Sequence, residues 1–164
     1  MTLKILLPIR WKIYFKKSGA VALWACNLFL TYEERGAKMV SGIIVAAGKG
    51  SRMGADINKV FLKLAQKTVI EYTLDAFEKC ADIDETILVI SRDDEKRCKE
   101  LEKKYPDLKI VFGGAQRKDS VLNGINAASG DVVVIHDGAR ALITPELISK
   151  VVSDGKKYEA ATLG

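Results

Sequence analysis

Cysteine is scarce. Cys26, Cys80 and Cys98 are an odd set with no C-x-x-C spacing, and His136 is the only histidine. That excludes a disulfide framework and a Cys/His zinc site, and leaves reduced, buried thiols of a cytoplasmic protein as the reading. Proline is equally scarce, and no internal repeat or low-complexity tract is present. A proline-rich linker and a repeat array are therefore excluded. No apolar run matches a membrane span: Gly19 to Leu30 is too short, and Asn27 interrupts it. What remains is a globular mix, 48% apolar and 29% charged, in 164 residues, a length that suits one domain.

The net charge is +5, and it is unevenly placed. Residues 1–38 hold seven Lys/Arg against two Asp/Glu, whereas residues 39–164 hold 19 of each. Trp11 and Trp24, both of the tryptophans, also precede Met39. The break predicts two differently composed segments: a leader of doubtful status over 1–38 and a domain over 39–164. Lys16-Lys17 before the apolar run has the outline of a secretory signal. Alternatively, codons for Glu34-Arg35-Gly36 can spell a purine-rich ribosome-binding sequence, which makes Met39 the expected start and residues 1–38 an over-extension. The neutral remainder offers no electrostatic case for a nucleic-acid or membrane partner.

From Met39 onward short apolar runs alternate with amphipathic segments. Residues 42–47, 86–90, 108–112 and 131–136 read as buried strands. Thr68 and Glu71 form a capping box before a helix carrying Ile70, Leu74 and Phe77. Residues 93–105 read as a charged helix with Cys98, Leu101 and Tyr105 inward, stopped by Pro106. A third helix is expected over 119–128, with Val121, Leu122 and Ile125 inward and Gly130 as its C-cap. Thr144 and Pro145 open a fourth, which Gly155 is expected to end. Residues 159–163 are expected to begin a fifth strand, so the chain reads as truncated at its C-terminus. The alternation predicts an α/β fold: a mostly parallel sheet, helices on both faces, three layers.

In such sheets ligands bind beyond the carboxyl ends of the strands, and three loops there carry unusual chemistry. The first runs Ala46-Ala47-Gly48-Lys49-Gly50-Ser51-Arg52-Met53-Gly54, followed by Asn58-Lys59. Its glycines let backbone amides approach a ligand, and Lys49, Arg52 and Lys59 add cations. Gly48, Lys49, Gly50 and Ser51 are thus candidates for a polyphosphate cradle. The loop is neither a Walker A loop nor the dinucleotide fingerprint, and a flexible loop with solvated lysines is the plain alternative. The second is Gly113-Gly114-Ala115-Gln116-Arg117-Lys118-Asp119-Ser120, where close backbone approach and the Ser120 hydroxyl suit a planar base edge. A simple helix cap by Asp119 or Ser120 is the alternative. The third is His136-Asp137-Gly138-Ala139-Arg140. Asp137 is a candidate ligand for a hard cation such as Mg²⁺. Arg140 could instead hold Asp137 or a neighbouring loop. His136 reads as structural.

These motifs, in this order and spacing from about Ser41 to Gly164, resemble the 2-C-methyl-D-erythritol 4-phosphate cytidylyltransferase family, whose fold is a Rossmann-like nucleotidyltransferase sheet. The resemblance implies transfer of a cytidylyl group from CTP to a polyol phosphate, methylerythritol phosphate, in isoprenoid precursor synthesis, with release of pyrophosphate. It implies Arg52 and Lys59 as catalytic cations. Ala46, Ala47, Gly114 and Ser120 would hold the cytidine, with Gly113 and Arg117 beside them, and Asp137 would face the Mg²⁺ cofactor. Members often have Pro-Lys where this chain has Asn58-Lys59, and Arg-Pro where it has Arg140-Ala141, so a less pre-organised loop is expected. Members are also longer at the C-terminus, where much of the acceptor site and a dimer-forming arm lie. A homodimer is therefore expected only of a full-length protein. Two alternatives stay open: a ribitol 5-phosphate cytidylyltransferase, and a CTP-binding fragment without turnover.

Overall fold

The computed structural model describes residues 12–15, 39–48, 58–158 and 160–162. In chain order the strands are β1 Lys12–Phe15, β2 Val40–Val45, β3 Lys63–Leu64, β4 Lys67–Thr68, β5 Glu85–Ile90, β6 Leu108–Phe112 and β7 Val132–Asp137. The helices are α1 Val69–Glu78, α2 Glu95–Lys104, α3 Arg117–Ala127 and α4 Pro145–Tyr158.

The main sheet has the order β1-β7-β2-β5-β6, and the pairs β7-β2, β2-β5 and β5-β6 are parallel. Val, Ile and Leu fill these strands because both faces are covered. Ile43, Ile44, Leu88, Val89, Val132 and Val134 are all essentially inaccessible. Alternate residues feed two cores. Ile44, Leu88 and Val134 meet α1, α2 and α4 through Ile70, Leu74, Phe77, Cys98, Leu101, Ile148 and Val151. Ile43, Ile87, Val89 and Val133 meet α3 through Val121 and Ile125. Three layers follow, as the alternating sequence predicts.

The chain steps outward from β2 to β5 to β6, then crosses back to lay β7 on the other side of β2. The connections therefore diverge between β2 and β7, which is where open parallel sheets form their ligand crevice. The register places Val45 beside Asp137, so both chemistry-bearing loops leave the sheet at the same height. The ladder continues one residue further: Ala46 donates to Val89 O at 2.7 Å, and Gly113 donates to Ile90 O at 2.8 Å.

Several expected boundaries shift. The capping box holds: Glu71 Oε2 accepts from Thr68 N and from Thr68 Oγ1. Residues 92–94 form a 3-10 turn before α2, although Cys98, Leu101 and Tyr105 point inward as expected. Helix α3 begins two residues early, at Arg117, because Asp119 Oδ2 reaches back to the Gln116 amide at 3.0 Å. Leu122 is not inward but 55% exposed, whereas Val121, Ile125 and Ala127 pack on the sheet. Gly124 lets α3 lie close, since a Cβ there would sit 2.6 Å from Ile43 Cγ2. Gly130 is not the C-cap. That place is taken by Ala128, and Gly130 instead presses on the Met39 carbonyl and Ser41. Helix α4 runs through Gly155 to Tyr158, because one glycine costs only about 1 kcal/mol and Lys156 and Lys157 suit the negative helix end. Residues 160–162 form no strand, contrary to the expected fifth one.

Strand β1 lies in the segment expected to be a separate leader. It pairs antiparallel with β7, Lys12 opposite Ile135 through Phe15 opposite Val132. Among the described residues no helix is long and apolar enough to cross a membrane.

Candidate active site

Beyond the carboxyl edge three short segments converge. Ala46 is buried, Ala47 half-buried and Gly48 exposed, with open space where a Cβ would stand. Gly113 fits directly against Ala47: a Cβ on Gly113 would lie 2.5 Å from Ala47 Cβ and 2.6 Å from Ser120 Oγ. Only glycine allows that approach. Gly114 is equally constrained, with Asp119 Cβ at 2.4 Å from its would-be Cβ. The Ser120 hydroxyl accepts from Gly114 N at 3.2 Å and donates to Gln116 O at 3.3 Å. The result is a small-residue wall of Ala46, Ala47, Gly113, Gly114 and Ser120. A flat group can lie against it.

Asp137 closes the opposite side. Its Oδ1 accepts from Ala139 N at 3.2 Å, and its Oδ2 lies 3.7 Å from Arg117 Nη1. Arg117 at the start of α3 thus bridges the second loop to the third. Sequence reasoning offers Arg140 for Asp137 or for a neighbouring loop; of these, the Asp137 pairing is made by Arg117 instead. Arg140 contributes its backbone, donating N–H to Asp137 O at 3.0 Å and accepting from His136.

His136 is 1% exposed; its Nε2 lies 3.1 Å from Arg140 O, and its ring tilts against Phe77. Burial pushes its pKa down to about 4, so the imidazole is neutral and its Nε2–H donates to that carbonyl. This is the structural role expected of it.

Asn58 and Lys59 stand at the near side of the crevice. Lys59 opens a 3-10 turn over Lys59–Phe61, is exposed, and makes no ion pair among the described residues. Asn58 is 8% exposed, and its Nδ2 donates to Ala46 O and to Asp94 Oδ2, both at 2.9 Å. Asn58 itself is thus fixed by its buried amide, while the loop before it, residues 49–57, lies outside the described residues. Sequence reasoning missed Asp94, which resembles an ordinary acid in a first helical turn. Arg97 is an ordinary i,i+3 partner, but Asn58 lies 36 residues away and leaves no local pattern. Lys49, Gly50, Ser51 and Arg52 lie outside the described residues.

Among the described residues no three His, Cys, Asp or Glu side chains gather as a metal site. Mg²⁺ commonly takes one or two protein carboxylates and completes its shell with substrate phosphates and water, so the Asp137 carboxylate fits that mode.

A parallel sheet whose crevice combines a glycine-serine wall, a cation and one carboxylate defines a nucleotidyltransferase-type α/β protein. Comparison with known proteins narrows the class. The family model for IspD, 2-C-methyl-D-erythritol 4-phosphate cytidylyltransferase, matches residues 40–164, and the chain belongs to that family. The protein of that name from Clostridium tetani is 48% identical over 126 residues, which cover 74% of this chain and 51% of its own. One from Clostridium perfringens is 46% identical over 125 residues, covering 74% and 53%. The crystal structure of 4-diphosphocytidyl-2C-methyl-D-erythritol synthase from Anaerococcus prevotii aligns with a TM-score of 0.64 at 35% identity, covering 74% of this chain and 52% of that one. The chain therefore spans about half the length of these relatives.

Proposed function

We propose that the crevice binds CTP with Mg²⁺ and transfers its cytidylyl group to 2-C-methyl-D-erythritol 4-phosphate, releasing pyrophosphate. The observation that carries this reading is the meeting of Ala47, Gly113 and Ser120 at the switch point, within reach of the loop that presents Lys59. In this reading the small-residue wall takes the cytosine, with Ser120 and the Gly114 backbone reading its polar edge. The triphosphate extends along the glycine loop towards Arg52 and Lys59.

The chemistry needs no general base. A phosphate oxygen of the acceptor, already ionised, attacks the α-phosphorus in line. The bond from the α-phosphorus to the bridging oxygen breaks, and pyrophosphate leaves with that oxygen. Negative charge grows on the non-bridging and leaving oxygens; Lys59 would stabilise it, together with Arg52 as the family resemblance implies. Mg²⁺ held by Asp137 would neutralise further phosphate charge. Arg117 keeps the Asp137 carboxylate turned into the crevice.

Calorimetry of this chain with Mg·CTP, Mg·UTP and Mg·ATP tests nucleotide choice. Pyrophosphate release with methylerythritol phosphate and, in parallel, ribitol 5-phosphate tests the transfer and its acceptor. Selective CTP binding supports the nucleotide half of the reading, and release only with methylerythritol phosphate supports the whole. CTP binding without turnover marks a nucleotide-binding unit, and indifference to the base refutes the assignment.

A further inference from the structure

We propose that Asn58, clamped by the buried carboxylate of Asp94, is the positioning residue that aims Lys59 at the nucleotide's polyphosphate. The inference rests on the CTP-binding reading above and adds a device to it.

Two polar side chains are buried where the sheet's carboxyl edge meets the turn before α2: Asn58 is 8% exposed and Asp94 is 3% exposed. A buried amide needs partners for both of its N–H groups. Asn58 Nδ2 finds them in Ala46 O and Asp94 Oδ2, each at 2.9 Å. Both are acceptors only, so the amide has one allowed orientation. Its Oδ1 is left facing the 3-10 turn, where Val60 N lies 3.4 Å away. Asp94 is held in turn by Ser91 Oγ at 3.0 Å and Arg97 Nη1 at 3.1 Å. Arg97 also lies over the Phe61 ring, the last residue of that same turn.

The chain of contacts closes on itself. It runs from Ala46 at the wall through Asn58 to Asp94, on to Arg97, and back to Phe61. Lys59 is the one residue of the 58–61 stretch that the clamp leaves pointing its charge to solvent. A lysine on a free loop would lose rotamer and backbone freedom on meeting a phosphate. Here the backbone share is already fixed by groups that never touch the ligand. The buried carboxylate, with three donors of its own, makes the amide's direction obligatory.

Calorimetry on the full chain separates this from simple stabilisation. Mg·CTP and CMP are titrated into wild type, Asn58→Ala, Lys59→Ala and the double variant, with circular dichroism confirming folded protein. The expected result is a loss of about tenfold in CTP affinity for Asn58→Ala, with CMP affinity within about twofold of wild type. In the Lys59→Ala background the same change should move CTP affinity less than about twofold, because the residue it positions is gone. Should Asn58→Ala fail to fold, Asp94→Asn is used in its place, with the same direction and about a threefold loss. Equal losses for CTP and CMP, or an undiminished loss without Lys59, overturn the positioning role while the CTP reading stands. A Lys59→Ala variant that binds CTP as wild type likewise overturns the positioning role alone, whereas absence of CTP binding sinks both.

Discussion

The two edges of the central sheet use polar residues in opposite ways. At the amino edge they are spent on one another. Ser41 Oγ donates to Glu85 Oε1 at 2.5 Å, and the same oxygen accepts from Ser129 N at 2.5 Å and Gly130 N at 3.3 Å. Gly130 N also reaches Ser41 Oγ, and Val40 N donates to Asp84 Oδ2. At the carboxyl edge the Asn58–Asp94 clamp is closed as well, but two charged groups beside it stay open. Lys59 is exposed, and the Arg117–Asp137 pair is a loose 3.7 Å. A closed network lowers the energy of the fold, whereas an open one keeps its donors for a ligand. Substitutions at the two edges should therefore separate activity from stability.

Lys59 carries the largest expected effect. Replacing it with alanine should slow cytidylyl transfer by roughly a hundredfold to a thousandfold, about 3–4 kcal/mol on the barrier, since one positioned donor to the developing charge is lost. Because the side chain is exposed and unpaired among the described residues, thermal stability should stay within about 0.5 kcal/mol. Coupled pyrophosphate assays beside thermal melts check both halves. A variant that melts early, or one that keeps full rate, breaks the contrast between the edges.

The sequence carried the fold further than the site. Continuous apolar runs and a helix cap such as Thr68 with Glu71 are local, so the alternating architecture was readable in advance. The loop glycines were readable too, since Gly113 must meet Ala47 and no other residue fits. What could not be read were pairings between distant elements. Asp94 and Asn58 lie 36 residues apart, and neither stands out alone. Arg117 rather than Arg140 on Asp137 depends on how α3 tilts over the sheet. Leu122 shows the same limit, because helical spacing names a stripe without saying how wide the covered part is.

His136 tests whether position or chemistry decides which edge a residue belongs to. It stands at the carboxyl edge, yet its polar atom is committed to Arg140 O, like the groups at the other end. Burial first, against smaller opposing help from the Arg140 carbonyl and Asp137, lowers its pKa to about 4. A lowered folded value means that the unfolded chain takes up the proton first. The stabilising contribution is complete above pH 6.5 and is lost as pH falls from there through about 4. The fall from 6.5 to about 4 corresponds to roughly 3–4 kcal/mol. Urea denaturation at stepped pH should show this slope in wild type and a flatter one in His136→Asn. Nucleotide affinity should show no histidine-like titration between pH 6 and 8. A bell or step there would return His136 to the reacting groups.

Glu85 gives the smallest effect and the one that closes the comparison. Its partial burial alone would raise its pKa. Hydrogen bonds from Ser41 Oγ and from the amides of Ser129 and Gly130 outweigh that, so the folded value falls below 4.5. The sign is that of a depressed carboxylate: stability is present above pH 4.5 and is lost as pH drops through the lower folded value. This window lies under that of His136, so the two edges should fail in sequence on acidification, the histidine first. Glu85→Gln keeps the shape but offers a weaker, neutral acceptor, and should cost about 1 kcal/mol at pH 7. It should also flatten the acid slope below pH 4.5 without touching the one above it. CTP affinity should be unchanged, because nothing in the Ser41–Glu85–Gly130 network reaches the crevice. If Glu85→Gln weakened CTP binding while leaving stability alone, the two edges would be coupled through β2, and a division of labour between them could no longer be drawn.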